Sequence, residues 1–317
     1  MSARTGLRLA GRRVVITGAS GGIGFEAAKR FAREGAKVAL IARSQPGLAE
    51  AVRQVERDGG QARALVADVA DRPALEAAIA QAADWLGGID VVVPNAGVAG
   101  YGPFDELSPA DFDRTVAVTF TGAVDTVRAA LPHLERSGGT VVATVSIASK
   151  VPLPLLSPYV AAKHALRGCL GSLRIELRQR GSKVRVCMVH PGPIDTPYYA
   201  HATSATGTQP KPLRSTYSPE SVAQALVECA VRPRAEVTVG SAAAALAVMS
   251  AVARPLSDLV LSTYGVWGAK TTSPSPRPGA LWRASGQGRV RGGHGSRPSL
   301  WAALRLRTLR GLRTGRS

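Results

Sequence analysis

Residues 14–24 read Val-Val-Ile-Thr-Gly-Ala-Ser-Gly-Gly-Ile-Gly, and this stretch decides the fold. A β-branched run ends at Thr17, spaced glycines follow, and a helical pattern begins at Gly24. Gly18 permits a tight turn, Gly22 lets the backbone approach a diphosphate, and Gly24 lets the helix pack close to the strand. The phosphates of a dinucleotide would then meet unpaired N–H groups and the positive end of the helix dipole.

Outward from this turn, short apolar runs alternate with helical patterns such as residues 24–34 and 73–85. Apolar runs without internal alternation suit strands that are buried on both faces. Strand–helix alternation of this kind predicts an α/β fold: a doubly wound (Rossmann) parallel sheet of about seven strands with helices on both faces. The predicted strands are residues 14–17, 38–41, 64–67, 91–93, 141–145, 184–189 and 237–239.

The composition changes after about Gly240. We predict a catalytic domain over residues 8–240, an Ala-rich helical extension over 241–269 and a basic Pro/Gly/Arg-rich tail over 270–317. The tail is expected to be loosely ordered or draped over the domain, because its composition is poor in core-forming residues. Residues 301–313 mix Leu with Arg and are compatible with a short basic helix.

The positive charge is unevenly spread along the chain. The formal net charge is +18, and residues 270–317 hold eleven Lys or Arg with no Asp or Glu, which leaves +7 for the first 269 residues. The tail carries no recognisable nucleic-acid module, so no specific nucleic-acid partner is expected. Electrostatic contact of the tail with nucleic acid or an acidic membrane surface remains the alternative that the charges alone support.

Several classes of protein are disfavoured. No N-terminal apolar run has the length of a signal peptide, which favours a cytoplasmic protein. The most apolar later stretch, residues 237–252, is mostly alanine and falls short of the ~20 strongly apolar residues of a membrane span. Cys169, Cys187 and Cys229 are too few for a disulfide framework, and no metal-ligand spacing is present.

The end of the second predicted strand bears on the choice of cofactor. A Rossmann site that prefers NAD usually places an acidic residue there, bonded to the ribose 2′-hydroxyl. Here the sequence reads Ile-Ala-Arg-Ser over residues 41–44. Arg43 would pair with a 2′-phosphate, and Ser20 or Ser44 would add hydrogen bonds, which favours NADP(H). The alternative is that Arg43 is a solvated surface arginine.

A second acidic position follows the third predicted strand. Asp68 and Val69 stand there, where a short carboxylate would either cap the next helix or bond the adenine amino group. Both roles remain open from the sequence.

Tyr159 and Lys163 are four residues apart on a predicted helix and therefore share a face. Ser146 closes the fifth predicted strand, and ligands bind at the carboxyl edge of open α/β sheets. Tyrosine, with an ordinary pKa of ~10, is a poor base at neutral pH, and a neighbouring ammonium lowers that pKa. The serine hydroxyl would hold a carbonyl oxygen or developing alkoxide. These residue types suit proton transfer during hydride transfer to a carbonyl.

Five motifs in order resemble those of the short-chain dehydrogenase/reductase family over residues 8–240. They are Thr17-Gly18-x3-Gly22-x-Gly24, Asn95-Ala96-Gly97, Ser146, Tyr159-x3-Lys163 and Pro191-Gly192-Pro193-Ile194-Asp195-Thr196. The resemblance implies an oxidoreductase acting on a small carbonyl or alcohol, with Tyr159 as acid/base and Lys163 holding the nicotinamide ribose. It places Asn95-Ala96-Gly97 beside the adenine ribose, the 191–196 loop along the nicotinamide with Thr196 near the carboxamide, and a mobile loop at 197–219 over the substrate.

The expected site can be stated in full. The predicted catalytic residues are Ser146, Tyr159, Lys163 and Thr119. The predicted cofactor-binding residues are Gly18, Ser20, Gly22, Ile23, Gly24, Arg43, Ser44, Asp68, Val69, Asn95, Ala96, Gly97, Tyr159, Lys163, Pro191, Gly192, Ile194 and Thr196.

One position departs from the family pattern. Members usually carry an asparagine in the helix before the fifth strand, where it holds a water that relays protons to the lysine. Aligning on Gly122 puts Thr119 there, with a shorter reach, and Pro94 replaces a commoner asparagine before Asn95. The alternative function is therefore an NADP-binding sensor or regulatory protein with little turnover.

The substrate and the assembly are expected from the same resemblance. Val151, Leu153, Leu155 and Leu156 lie between Ser146 and Tyr159, where the family lines its substrate pocket. Their apolar character predicts a hydrophobic ketone, aldehyde or secondary alcohol. A homo-oligomer is expected, built on helices near residues 112–134 and 158–179. His190 would either line the pocket or support the strand end.

Overall fold

The computed structural model of the chain describes residues 7–212, 216–265, 270–274, 279–284 and 288–299. The strands are β1 (Arg13–Thr17), β2 (Lys37–Ala42), β3 (Gln61–Val66), β4 (Val91–Val93), β5 (Gly100–Tyr101), β6 (Thr140–Thr144), β7 (Arg185–Pro191), β8 (Thr203–Ser204), β9 (Thr208–Pro210), β10 (Glu236–Val239) and β11 (Lys270–Pro274). The helices are α1 (Gly22–Arg33), α2 (Gln45–Arg57), α3 (Arg72–Leu86), α4 (Pro109–Val116), α5 (Gly122–Ser137), α6 (Ser157–Gln179), α7 (Tyr198–His201), α8 (Pro219–Val231), α9 (Ser241–Val252) and α10 (Arg254–Val260).

Seven strands form one parallel sheet in the order β10-β7-β6-β4-β1-β2-β3. β1 lies between β2 and β4, with Val14 opposite Val38 on one side and Val91 on the other. The strand order reverses direction between β1 and β4, and such switch points are where open α/β sheets bind ligands. The predicted doubly wound (Rossmann) sheet is confirmed.

Apolar side chains cover both faces of the sheet. Within β1, Val14 and Ile16 pack into a core with α1, α2 and α8, whereas Val15 packs into a second core with α3, α5 and α6. Because side chains alternate between the faces of a strand, a strand covered by helices on both sides has to be apolar throughout. Phe25 and Phe31 of α1 are fully buried, each contributing roughly 1.5–3 kcal/mol from apolar burial.

The chain after β10 is built differently. The predicted boundary at residue 240 lies between β10 and α9, and β11 pairs with β9. Two further described segments, residues 279–284 and 288–299, return to the carboxyl edge of the main sheet; we call them the tail strap. The predicted basic helix at 301–313 lies outside the described residues. Within the described part of the chain, no helix combines the length and the apolar character needed to cross a membrane.

The segment predicted as a mobile loop, residues 197–219, contains α7, β8 and β9. β8 pairs with β5 and β9 pairs with β11, while residues 213–215 fall outside the described part of the chain. These pairings place α7 beside the carboxyl end of β7.

Candidate active site

A cavity of about 740 Å³ lies at the carboxyl edge of the sheet. Its walls come from the turn after β1, the ends of β2, β3, β4, β6 and β7, the start of α6 and the tail strap. Every predicted site residue lines this cavity except Gly24 and Thr119, which lie behind its wall. The topology therefore brings together residues that are far apart in the sequence.

The turn between β1 and α1 is shaped by close backbone approaches. Gly18 has a φ of +67°, and a Cβ there would lie 2.7 Å from the Cα of Ala96. A Cβ on Gly24 would lie 2.3 Å from the carbonyl oxygen of Gly18, which no side chain can tolerate. Asn95 Nδ2 donates to the carbonyl oxygens of Thr17 and Gly18 at 3.1 and 3.3 Å. The turn is held open by glycine and tied to β4 by Asn95.

Arg43 extends from the end of β2 into the cavity. Its Nη1 donates to the carbonyl oxygen of Leu281 at 3.1 Å and lies 3.7 Å from Oδ2 of Asp68, and Nη2 donates to the carbonyl oxygen of Ala280. The Arg43 side chain is 21% exposed, so most of it is removed from solvent. Ser44 Oγ accepts from the Gly47 amide at 3.2 Å and caps α2.

Of the two roles predicted for Asp68, the described contacts do not include capping of the next helix. Its Oδ1 accepts from the Ala70 amide at 3.0 Å, and its Oδ2 pairs with Arg114. The residue that caps α3 is Asp71. Burial raises the pKa of Asp68, but the Ala70 amide and the Arg114 guanidinium outweigh it, so the pKa lies below its ordinary value. Asp68 is therefore an ionised carboxylate on the cavity wall.

Ser146, Tyr159 and Lys163 meet on the opposite wall. Ser146 follows β6, and its Oγ accepts from the Ala148 amide at 3.1 Å, which caps the 3₁₀ turn Ile147–Ser149. Tyr159 lies in the first turn of α6, with Lys163 one turn later. Lys163 Nζ donates to the Thr144 carbonyl oxygen at 2.9 Å and lies 5.7 Å from the centroid of the Tyr159 ring. The helix and the strand end thus present the three side chains to one space.

Burial dominates the electrostatics of this wall. Lys163 is 3% exposed, and desolvation lowers its pKa to about 7. Desolvation raises the pKa of Tyr159, while the nearby hydroxyls of Ser146 and Tyr198 lower it in part. Each shift favours the uncharged form of its group, as expected in a dry pocket. A Lys163 ammonium paired with a Tyr159 phenolate would therefore have to overcome the desolvation of both groups.

Thr119 lies in a π-helical segment, Ala117–Thr121, between α4 and α5. Its hydroxyl donates to the Val98 carbonyl oxygen at 3.0 Å and accepts from the Val98 amide at 3.1 Å. A Cβ on Gly97 would lie 3.8 Å from both Thr119 Oγ1 and Lys163 Nζ, so the hydroxyl and the ammonium border the same space beside Gly97. The contacts give Thr119 a role in holding the Val98 backbone.

The loop after β7 closes the site above the glycine turn. Ile194 and Thr196 line the cavity, and a Cβ on Gly22 would lie 3.2 Å from Cβ of Thr196. Asp195 is 2% exposed and turns away from the cavity, where its Oδ1 accepts backbone amides of the tail strap. The loop and the glycine turn therefore approach each other across the predicted diphosphate position.

The far end of the cavity is apolar and aromatic. Leu153 and Leu156 line it, whereas Val151 and Leu155 pack behind it. Three tyrosines that the sequence analysis did not single out, Tyr101, Tyr198 and Tyr199, line the same end. The Tyr159 and Tyr198 ring centroids are 5.8 Å apart. No motif marks these tyrosines, because β5 and α7 bring them together only in three dimensions.

His190 is fully buried behind Ser146 and does not line the cavity. Its Nδ1 lies 2.9 Å from Ser149 Oγ and 3.3 Å from the Ser146 carbonyl oxygen, and Ser149 Oγ donates to the same carbonyl at 2.7 Å. Its Nε2 lies 3.5 Å from Glu236 Oε2. Of the two roles considered for His190, these contacts favour support of the strand end that carries Ser146.

The His190 environment predicts an acid-dependent loss of stability. Burial lowers the pKa of His190 to about 3, from the ordinary 6.5. Because the folded-state pKa is the lower one, the unfolded chain takes up this proton first as the pH falls. The stabilisation of the folded state that comes from a neutral His190 is therefore fully present above pH ~6.5. Below that pH, the free energy of unfolding falls by up to about 1.4 kcal/mol per pH unit. Replacing His190 with Asn should flatten the pH dependence of the unfolding free energy, measured by urea denaturation.

The matched control is His164→Asn, since His164 is exposed on α6. The charged groups that face His190 are Lys150, Glu236 and Arg167. Glu236 has its pKa lowered to about 2, so it stays ionised across the same window. An unchanged slope in His190→Asn would contradict a neutral buried imidazole.

The comparisons with known proteins agree with this geometry. A family model described as short chain dehydrogenase matches residues 12–209. The chain is 35% identical over 251 residues to the uncharacterized oxidoreductase YxnA of Bacillus subtilis (strain 168), which covers 78% of this chain and 70% of that protein. It is 35% identical over 212 residues to an uncharacterized NAD-dependent oxidoreductase of Mycobacterium tuberculosis (strain ATCC 25618 / H37Rv), covering 62% of this chain and 76% of that protein.

A solved structure is also similar. It is the alcohol dehydrogenase from the archaeon Thermococcus sibiricus complexed with 5-hydroxy-NADP. The TM-score is 0.64 at 29% identity, and the match covers 72% of this chain and 96% of that one.

Proposed function

The chain belongs to the short-chain dehydrogenase family, and we propose that it is an NADP-dependent oxidoreductase that interconverts a carbonyl and a secondary alcohol on a hydrophobic substrate. One observation carries this proposal: Ser146, Tyr159 and Lys163 share a single cavity with the glycine turn that would hold a dinucleotide. The residues that would carry out chemistry on a CH–OH group therefore lie at the same edge of the sheet as the turn that would bind the dinucleotide.

The residues present fit a dinucleotide. Gly18 and Gly24 permit backbone approaches that a Cβ would block, and α1 begins at Gly22 with its first N–H groups outside any intrahelical bond. The Gly22 amide donates to the Arg289 carbonyl oxygen, so the diphosphate would accept from the amides that follow it in the first turn. A helix N-terminus of this kind favours a diphosphate. The 740 Å³ cavity lies within the range of about 300–1,000 Å³ that is usual for ligand sites.

Arg43 supports NADP over NAD. The names of the similar proteins point both ways, so the choice depends on the residues of this chain. A guanidinium has five N–H donors, so Arg43 retains donors beyond those used by the carbonyl oxygens of Ala280 and Leu281. No acidic residue stands at the end of β2, where it would repel a 2′-phosphate.

Three side chains supply the proton chemistry. When bound in this cavity, a nicotinamide dinucleotide would supply or take up the hydride. During reduction, Ser146 Oγ would donate a hydrogen bond to the substrate carbonyl oxygen, and the Tyr159 hydroxyl would transfer its proton to that oxygen. The Lys163 ammonium would stabilise the phenolate that remains. Alcohol oxidation would use the same groups in reverse, with Tyr159 accepting the proton.

The substrate end of the cavity favours an apolar molecule. Leu153, Leu156 and Tyr199 line it together with Tyr101, which is 5% exposed. Burying a charged substrate against such a surface would carry a large desolvation cost. We therefore assign a hydrophobic ketone, aldehyde or secondary alcohol.

A carbonyl panel tests this assignment. The full-length protein with NADPH should reduce aryl and long-chain alkyl ketones or aldehydes with kcat/KM at least about tenfold above that for small charged keto acids, a difference of about 1.4 kcal/mol. The assay follows NADPH consumption. Turnover confined to small charged carbonyl compounds would contradict the hydrophobic substrate class.

Thr119 supports a second candidate function. Its hydroxyl is engaged by both the amide and the carbonyl of Val98, which uses its only proton and leaves one lone pair for a relay water toward Lys163. An NADP-binding sensor with little turnover would follow if the proton supply to Lys163 is slow. Tight NADPH binding together with absence of turnover across the panel would favour the sensor.

We also propose a homo-oligomer that uses α5 and α6. The proposal follows from the family, and burial of the 65% exposed Ile175 of α6 against a partner would remove its side chain from water. Sedimentation of the full-length chain distinguishes an oligomer from a monomer.

A further inference from the structure

The first segment of the tail strap is anchored at the adenosine end of the cavity. The Leu281 carbonyl oxygen accepts from Arg43 at 3.1 Å and from Arg114 at 3.0 Å. The Leu281 side chain is 1% exposed and belongs to the core on the α3 face. Trp282 Nε1 donates to Asp111 Oδ1 at 2.7 Å. These contacts bind residues 279–284 to the ends of β2 and α4.

The second segment of the tail strap crosses the glycine turn. The Gly22 amide donates to the Arg289 carbonyl oxygen at 2.9 Å. Asp195 Oδ1 accepts from the amides of Gly292 and His294 at 3.1 and 2.9 Å. A Cβ on Gly292 would lie 2.3 Å from the Thr196 carbonyl oxygen, so the backbones of the strap and the nicotinamide loop are in direct contact.

The strap covers the cavity without filling it. The 740 Å³ space is lined by Gly21, Gly22 and Ile23 on one side and by strap residues on the other. The strap residues that line it are Ala280, Leu281, Ala284, Arg289, Arg291 and Gly292. Because the residues of the glycine turn and those of the strap border the same space, a molecule bound at the glycine turn would contact the strap and be covered by it.

The two strap arginines that line the cavity, Arg289 and Arg291, differ in their partners. Arg291 pairs with Glu220 at 2.8 Å and donates to Ser296 Oγ at 3.0 Å. Arg289 is an exposed residue that lines the cavity, and its backbone lies at the glycine turn through the Gly22 amide. Its side chain makes no hydrogen bond or ion pair with any described residue, and α1 has no acidic residue in its first turn that would pair with it. Among the described residues, the Arg289 guanidinium is therefore without a partner and is carried by a backbone that touches the turn predicted to hold the diphosphate.

We propose that the tail strap is part of the cofactor site, with the Arg289 guanidinium binding the diphosphate of the bound dinucleotide. The inference rests on the proposed NADP-dependent function and adds to it a binding element that the family motifs do not contain. Arg43 would bind the 2′-phosphate, which only NADPH carries, whereas Arg289 would bind the diphosphate, which NADPH and NADH share. The two arginines thus have separable effects.

The test uses full-length Arg289→Ala, with Arg283→Ala as the matched control, since Arg283 is an exposed strap arginine that does not line the cavity. Fluorescence titration should show that Arg289→Ala weakens NADPH and NADH by the same factor of about ten, as for loss of a charge-assisted hydrogen bond. Arg283→Ala should leave both affinities unchanged. Unchanged or tighter binding in Arg289→Ala, or a loss confined to NADPH, would overturn the assignment.

A second measurement does not depend on a substitution. Trypsin digestion of the wild-type protein should cut after Arg289 and Arg291 more slowly with saturating NADPH, because cleavage requires the strap to leave the cofactor. Faster cleavage with NADPH would mean that the cofactor displaces the strap, and it would contradict the proposal that the strap covers the bound cofactor. If the wild-type protein binds neither dinucleotide, the proposed function is wrong as well. If the wild-type protein binds them and Arg289→Ala binds them with the same affinity, only the role of Arg289 is wrong.

Discussion

Replacing Tyr159 with Phe is expected to lower kcat for carbonyl reduction by about 10²–10⁴-fold, the usual contribution of a positioned acid/base. The substitution removes the only atom that would pass a proton to the substrate oxygen and keeps the ring that packs against Tyr198. NADPH affinity should fall far less than kcat, because Tyr159 is only one of the predicted cofactor-binding residues and the glycine turn and Arg43 are untouched. NADPH consumption under saturating substrate measures the loss, and titration measures the affinity.

The control for this prediction is Tyr101→Phe. Tyr101 lines the same aromatic end of the cavity, so the change removes one tyrosine hydroxyl from the same surroundings. Turnover of Tyr101→Phe should stay near that of wild type. Equal losses in the two variants, or full activity in Tyr159→Phe, would be incompatible with Tyr159 as the acid/base.

Arg43→Ala is expected to weaken NADPH binding by about 10- to 150-fold, which corresponds to the roughly 1.5–3 kcal/mol of hydrogen bonds to a charged group. NADH binding should change little, because NADH has no 2′-phosphate. The ratio of the two dissociation constants, obtained by fluorescence titration, is therefore the decisive quantity. An equal loss for both dinucleotides would contradict recognition of the 2′-phosphate by Arg43.

The matched control is Arg114→Ala. Arg114 donates to the same Leu281 carbonyl and pairs with the same Asp68 carboxylate as Arg43, but it does not line the cavity. If the NADPH preference depends on Arg43 itself, Arg114→Ala should retain it. A loss of preference in Arg114→Ala would show that the arginines act by anchoring the tail strap.

Together the variants separate three parts of the site. Tyr159 is expected to govern turnover, Arg43 the choice between NADPH and NADH, and Arg289 the affinity for both. The separation follows from position: Tyr159 stands at the start of α6, Arg43 at the end of β2, and Arg289 over the start of α1.

The main sheet and most of the predicted site could be read from local sequence. The seven predicted strands lie within or overlap the observed ones, because strands covered on both faces are continuous apolar runs and need no distant information to be recognised. The glycine turn is equally local, since Gly18 requires a positive φ at that residue. The order of the motifs then predicts which strand ends face one cavity.

Other features depend on residues that meet only after folding. Leu281 bonds Arg43 across 238 positions of sequence, and His190 meets Ser149 across 41. Thr119 stands where the family resemblance places a relay asparagine, and its hydroxyl is bonded to Val98 from a π-helical segment. Such contacts carry no periodicity and no spacing that sequence reading can detect.

The sequence by itself determined the fold class and the glycine turn and predicted Ser146, Tyr159 and Lys163, because each follows from local backbone needs, a strand end or spacing on one helix. Only the tertiary structure decided that the tail strap borders the cavity, that Arg291 but not Arg289 has a side-chain partner among the described residues, and that three tyrosines line the apolar end. The physical reason is that hydrogen bonding and burial depend on which distant groups become neighbours, and the chain topology alone sets that.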